Sequence, residues 1–138
     1  MSFVRRLVLD TGVLVSAALL PGSVPALAYE KALMNFEVCA SAETLAELEE
    51  VLSQSKFDRY APVAQRQAFV AGYRVYAEII EVTATVSDCP DPKDNIFLAL
   101  AEAAGAELIL SSDPHLTGMH PWRGIPILPP AAFLVGIR

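Results

Sequence analysis

The stretch from Asp91 to Asp113 constrains this chain most, because it reads as a helix followed by a buried strand with an aspartate near each end. Ile96, Ala99, Leu100 and Ala103 recur at i, i+3, i+4, i+7, the spacing of one helical face. Asp94 stands where an N-cap or first-turn residue belongs, with Pro92 just ahead of it. Gly105 is placed to end the helix, since glycine takes the left-handed conformation there without steric cost. Leu108, Ile109 and Leu110 form a short apolar run between polar neighbours, which suits a buried strand. Asp113 follows just past its carboxyl end, and in open α/β sheets that edge is where sites are built.

The rest of the chain repeats this alternation. Leu7-Val8-Leu9 is a buried-strand run that ends at Asp10-Thr11, and a helical pattern runs from Val13 to Leu20 until Pro21-Gly22 breaks it. Ser23 and Pro25 mark the cap and first turn of a second helix, and Phe36 to Ala40 reads as a second strand. Ser41 is placed to cap a third helix with Leu45, Leu48 and Leu52 as its stripe, and another helix runs from near Pro62 to about Tyr76. Ile79 to Val82 is a third strand candidate. Pro114 to Gly124 reads as a loop, Ile125 to Leu128 as a short strand, and a small helix starts at Pro130. Strands alternating with helices predict right-handed βαβ units: one α/β domain over residues 1–138, with a central parallel sheet of about four to five strands and helices on both faces.

Composition narrows the function. The longest apolar runs fall well short of the ~20 residues a membrane span needs, and Asp10 interrupts the first apolar patch too early for a signal peptide, so a cytoplasmic protein is expected. Cys39 and Cys89 have no Cys-x-x-Cys or Cys/His spacing, so both are read as reduced and structural. The formal net charge of −6 disfavours a broad basic surface for nucleic acid. It leaves room for an enzyme that holds phosphates through metal ions, for which clustered carboxylates are required.

In a parallel sheet, Asp10, Asp113 and the start of the Asp94 helix lie along one edge, and Glu47 sits off the Leu45/Leu48/Leu52 stripe where it can face a neighbouring groove. If the four carboxylates meet, their repulsion must raise their pKa values or be relieved by a divalent cation. All-oxygen ligation suits hard ions such as Mg²⁺ or Mn²⁺. Each residue also has a plainer reading: Asp94 and Asp10 as helix caps, Glu47 as a solvated helix residue, Asp113 as a turn initiator before Pro114. Asp10-Thr11-Gly12 spells the tripeptide of aspartic proteases, but that chemistry needs an all-β fold with paired loops, against the helical pattern after Val13.

The run from Leu9 through Leu20, the Glu47 helix, Asp91-Pro-Lys-Asp-Asn-Ile-Phe-Leu-Ala-Leu-Ala101 and Leu108-Ile-Leu-Ser-Ser-Asp-Pro-His-Leu116 together resemble a PIN domain. The branch they resemble is that of bacterial toxin–antitoxin proteins related to VapC-type toxins, and the match spans nearly the whole chain in order. The resemblance implies a Mg²⁺- or Mn²⁺-dependent endoribonuclease with Asp10, Glu47, Asp94 and Asp113 as metal-binding residues. It further implies Asp91 as an auxiliary, Ser111 as the hydroxyl that orients the site, a cognate antitoxin as partner, and RNA as substrate. The family usually has asparagine where this chain has Gly12, and glycine cannot supply that amide, so weakened activity or a water in its place is expected.

The mechanism expected from these residues is in-line attack of water on an RNA phosphodiester, leaving a 5′-phosphate, with Lys93 and Arg123 the basic residues best placed to meet the backbone. His115 and His120 are read as structural or solvated. A homodimer is expected from the apolar early helices. The main rival is a non-cleaving module that acts by binding an antitoxin through those helices. A phosphatase or receiver-like domain using Asp10 is weaker, because position 12 is Gly rather than Asp and no lysine occurs after Lys93.

Overall fold

A computed structural model describes residues 4–136. Its elements in chain order are β1 (Arg6–Leu9), α1 (Thr11–Leu19), α2 (Val24–Asn35), β2 (Glu37–Ala40), α3 (Ala42–Leu52), α4 (Val63–Tyr76), β3 (Glu78–Ile79), α5 (Asn95–Ala104), β4 (Leu108–Leu110), α6 (Pro114–Thr117), β5 (Ile127–Leu128) and α7 (Pro130–Gly136). The five strands form one sheet in the order β3-β2-β1-β4-β5, and every pairing is parallel. The order turns at β1 and β4, so the crevice outside their carboxyl ends is the topological switch point at which such sheets hold ligands.

The period of two along each strand sorts the core into two layers. Leu7 and Leu9, Val38 and Ala40, and Leu108 and Leu110 face the layer that includes residues of α1–α4 and α7. Val8, Cys39 and Ile109 face the other layer, with residues of α5, Leu116 and Trp122. Helices therefore cover both faces, as the continuous apolar character of the strands requires.

Local chemistry fixes most helix starts. The side chains of Asp10, Ser23 and Ser41 accept from the amides of Val13, Ala26 and Thr44, and Ser41 with Thr44 completes a reciprocal capping box. Because Asp10 is its cap, α1 begins at Thr11, two residues ahead of the expected Val13. Gly105 ends α5 at φ 63°.

Four expected boundaries shift. The third strand is Glu78–Ile79 rather than Ile79–Val82, because its partner β2 ends at Ala40; the last bond of that ladder is Ile80 N–H to Ala40 O, 2.8 Å. β5 is Ile127–Leu128, since Pro126 has no N–H to donate and Ile125 instead bridges to Trp122. The segment read as a loop from Pro114 opens with α6, and a 3-10 turn at Pro92–Asp94 precedes α5. No single helix among the described residues is long and apolar enough to cross a membrane; α1 and α2 pass that test only as a pair bent by 107°.

Candidate metal centre

Asp10 leaves the end of β1 and is buried at 3% exposure. One carboxylate oxygen takes the Val13 amide at 2.8 Å and the other takes the Ser111 hydroxyl. The same hydroxyl accepts the Asp113 amide at 2.9 Å, so a single fully buried serine ties the ends of β1 and β4 together. Burial pushes the Asp10 carboxyl up against the pull of these donors, and the Asp113 charge adds to the rise.

Asp113 caps α6, accepting the His115 amide at 2.9 Å, and its Oδ1 lies 3.2 Å from His115 Nδ1. Asp94 begins α5, yet its side chain accepts no capping bond. Instead Asp94 Oδ2 is buried with no donor directed at it. The Asp94 carboxyl is pushed up to about 7, first by burial, then by its hydrogen bond to Asp113 and by repulsion from Asp113, Asp91 and Asp10. Asp113 is held below its ordinary value, chiefly because Asp94 donates to it. The two carboxyls thus share one proton near neutrality, an arrangement a cation can replace.

Asp91, Asp94, Asp113 and His115 each offer one ligand atom, and these atoms lie within 4.8 Å of one another. Three carboxylates and one imidazole, with a buried oxygen lacking a donor, fit a divalent cation. Asp10 is adjacent, as its effect on Asp94 shows, but outside this group. Glu47 lies outside it too, its carboxylate taking the Thr11 hydroxyl at the start of α1.

The basic residues differ. Lys93 is exposed and makes no ion pair among the described residues, while its amide donates to Asp91 at 3.2 Å. The Arg123 guanidinium is held by Glu102 at 2.7 Å and Asp88 at 3.1 Å and lies over the Trp122 ring, so its charge is already balanced. His120 Nδ1 accepts the Ile127 amide at 2.9 Å, the structural role expected of it. His115, read as solvated or structural, instead borders the carboxylates; its position two residues after a capping aspartate was the available signal.

Gly12 has a spatial reason that sequence does not disclose. A Cβ there would lie 2.9 Å from the Ser112 hydroxyl oxygen and 3.6 Å from Asp10 Oδ1. The Ser112 hydroxyl therefore borders the volume that a side chain at position 12 would enter. Cys89 also approaches the site: it is buried, free, and its thiol lies 3.8 Å from the His115 carbonyl. Burial and the neighbouring carboxylates push that thiol up, which keeps it neutral.

With this geometry in hand, comparison places the chain among known proteins. A family model described as PIN domain matches residues 6–115. No curated protein matches the chain. Among solved structures, VapBC2 from Rickettsia felis bound to a DNA fragment from their promoter is similar at 18% identity and a TM-score of 0.62, over 88% of this chain and 96% of that one. A Pyrobaculum aerophilum protein matches at 16% identity and 0.65, over 95% and 88%. Mycobacterium tuberculosis VapC20, described as a sarcin-ricin loop cleaving toxin, matches at 17% identity and 0.53, over 78% and 90%. At these identities the likeness carries the fold.

Proposed function

The chain belongs to the PIN domain family, and from that membership we propose that it is a metal-dependent endoribonuclease, the toxin of a toxin–antitoxin pair. The observation that carries this reading is the four-residue group Asp91, Asp94, Asp113 and His115, with its buried, donorless Asp94 oxygen. It stands at the switch point of the sheet, outside the carboxyl ends of β1 and β4.

Asp94, Asp113 and Asp91 would hold one or more Mg²⁺ or Mn²⁺ ions, with Asp10 and Glu47 completing the acidic wall. Such an ion supplies charge neutralisation at the phosphate and lowers the pKa of water toward ~7. The protein's own residues do the rest. Ser111 ties the Asp10 carboxylate to the Asp113 amide, and Thr11 orients the Glu47 carboxylate. Asp94, raised by burial and by its neighbours, would have to give up its proton to serve as a ligand. Lys93, exposed at the rim, meets the RNA backbone, whereas Arg123 contributes through its hold on Asp88 and Glu102 rather than by direct contact.

The partner reading rests on apolar surface. Leu20, Val24 and Leu27 at the junction of α1 and α2 are each 45% exposed, and Met34 is 83% exposed. An antitoxin covers this face, and a second copy of the chain is the other occupant expected of apolar helices. The alternative function, a weakened module acting through antitoxin binding alone, draws on Gly12. Its test is cleavage of a mixed single-stranded and structured RNA pool with Mg²⁺, Mn²⁺ or EDTA. Metal-dependent cutting that disappears in Asp94→Asn supports the nuclease. No cutting by folded, antitoxin-free protein in any metal refutes it in favour of the binding module.

A further inference from the structure

Beside the carboxylates lies a cavity of about 250 Å³ that the reaction above does not use. Its walls come from the first turn of α3, the segment 82–86 and the first two turns of α5. Val86, Ile96 and Ala99 are among its apolar lining, and Glu43, Asn95, Thr83 and Thr85 are its polar groups. It shares two helices with the acidic residues of the site. Asn95 follows Asp94 directly, and Glu43 stands one helical turn before Glu47 on α3.

Resting on the nuclease reading, we propose that this cavity is a nucleobase subsite that takes one unstacked guanine from a single-stranded RNA whose neighbouring phosphate lies at the carboxylates. Sequence-specific RNA recognition works on bases splayed out of the stack and bonded along their edges. The volume is below the ~300–1,000 Å³ of cavities built for larger ligands and suits one flat ring system between apolar walls. The polar groups select which ring. Glu43 is an exposed carboxylate that accepts only, so it favours an edge with adjacent N–H donors. Guanine presents its ring N–H and its amino group side by side, a match for both carboxylate oxygens. Uracil would set a carbonyl against the same carboxylate. Asn95 uses its carbonyl on the Cys89 amide at 2.8 Å, and its NH₂ makes no hydrogen bond among the described residues. That leaves a donor for the guanine carbonyl. The remaining hydroxyls, Thr83 and Thr85, are exposed.

The subsite also answers the charge problem. With a net charge of −6, the chain lacks the basic surface that would hold RNA by its phosphates alone. A base held in a pocket supplies register and affinity that the backbone contacts do not.

The experiment uses the Asp94→Asn protein, which binds without cutting, and fluorescein-labelled oligo(U) carrying a single central G, A, C or U, in Mg²⁺. Wild-type cut sites are mapped on the same four oligonucleotides. The expected result is that the G oligonucleotide binds ~10-fold more tightly than the all-U one, and that wild type cuts beside that G. Glu43→Gln reduces the preference to about two-fold, and Thr85→Phe, an exposed change that fills the cavity, abolishes it. Equal binding of all four, binding of none, or a G preference that survives both variants overturns the subsite. The two readings fail separately: cutting without base preference removes the subsite and keeps the nuclease, while G-selective binding without cutting does the reverse.

Discussion

Replacing Asp94 by asparagine should remove cleavage and, in the absence of metal, make the protein more stable at alkaline pH. The sign follows from its raised pKa. A carboxyl held at about 7 in the fold but near 3.8 when unfolded keeps its proton more tightly in the native state. Native stability is therefore lost as pH climbs from about 4 through about 7, where Asp94 must ionise beside Asp113, Asp91 and Asp10. Taken at face value, the rise from 3.8 to about 7 corresponds to ~4 kcal/mol at ~1.4 kcal/mol per pH unit. Asp94 is only partly buried, so solvent screens much of this, and the depressed Asp113 offsets more. A net penalty of about 1–2 kcal/mol above pH 7 is what remains. Asparagine keeps a donor toward Asp113 and carries no charge. In EDTA at pH 8, Asp94→Asn should melt roughly 3–8 °C above wild type by circular dichroism, and at pH 4 the gap should close. Adding Mg²⁺ or Mn²⁺ should raise wild type more than the variant, and more at pH 8 than at pH 5, because the cation displaces the shared proton. The reasoning fails if metal-free wild type is as stable as the variant at pH 8, or if the cation stabilises both equally.

Three other outcomes follow from the same contacts. Ser111→Ala leaves Asp10 without its hydroxyl donor and the Asp113 amide without its acceptor, and should cost about 1–3 kcal/mol in urea denaturation together with most of the cleavage. Gly12→Asn should cost under ~1 kcal/mol, because the hydroxyl it meets belongs to exposed Ser112 and can rotate aside. In a Ser112→Gly background the same change should cleave at least as fast as wild type in a fluorogenic RNA assay; slower cleavage would show that the volume is needed for something else. Leu27→Glu, at a position 45% exposed, should leave melting and RNA cleavage unchanged while weakening antitoxin capture in a pull-down, and unimpaired capture would move the docking surface away from α1 and α2.

What the chain's order of residues determined by itself was local. Caps at Asp10, Ser23 and Ser41, the left-handed stop at Gly105 and the apolar triplets of β1 and β4 each depend on neighbours within a few positions, so they are legible one after another along the chain. The alternation of strand and helix then left a parallel sheet as the one way to bury triplets that are apolar on both faces. The tertiary structure decided what no local pattern contains. It set β1 beside β4, which brought the Ser111 hydroxyl across 101 positions to Asp10. It left Asp94 facing Asp113 instead of capping α5, against the reading its position invites. It added His115 to the carboxylates, kept Glu47 with Thr11, and placed Ser112 against Gly12. The physical reason is common to all of these. Strand order and helix docking are chosen by burial summed over the whole core, and a side chain's partners at the sheet edge follow from that choice rather than from its own neighbours in the chain.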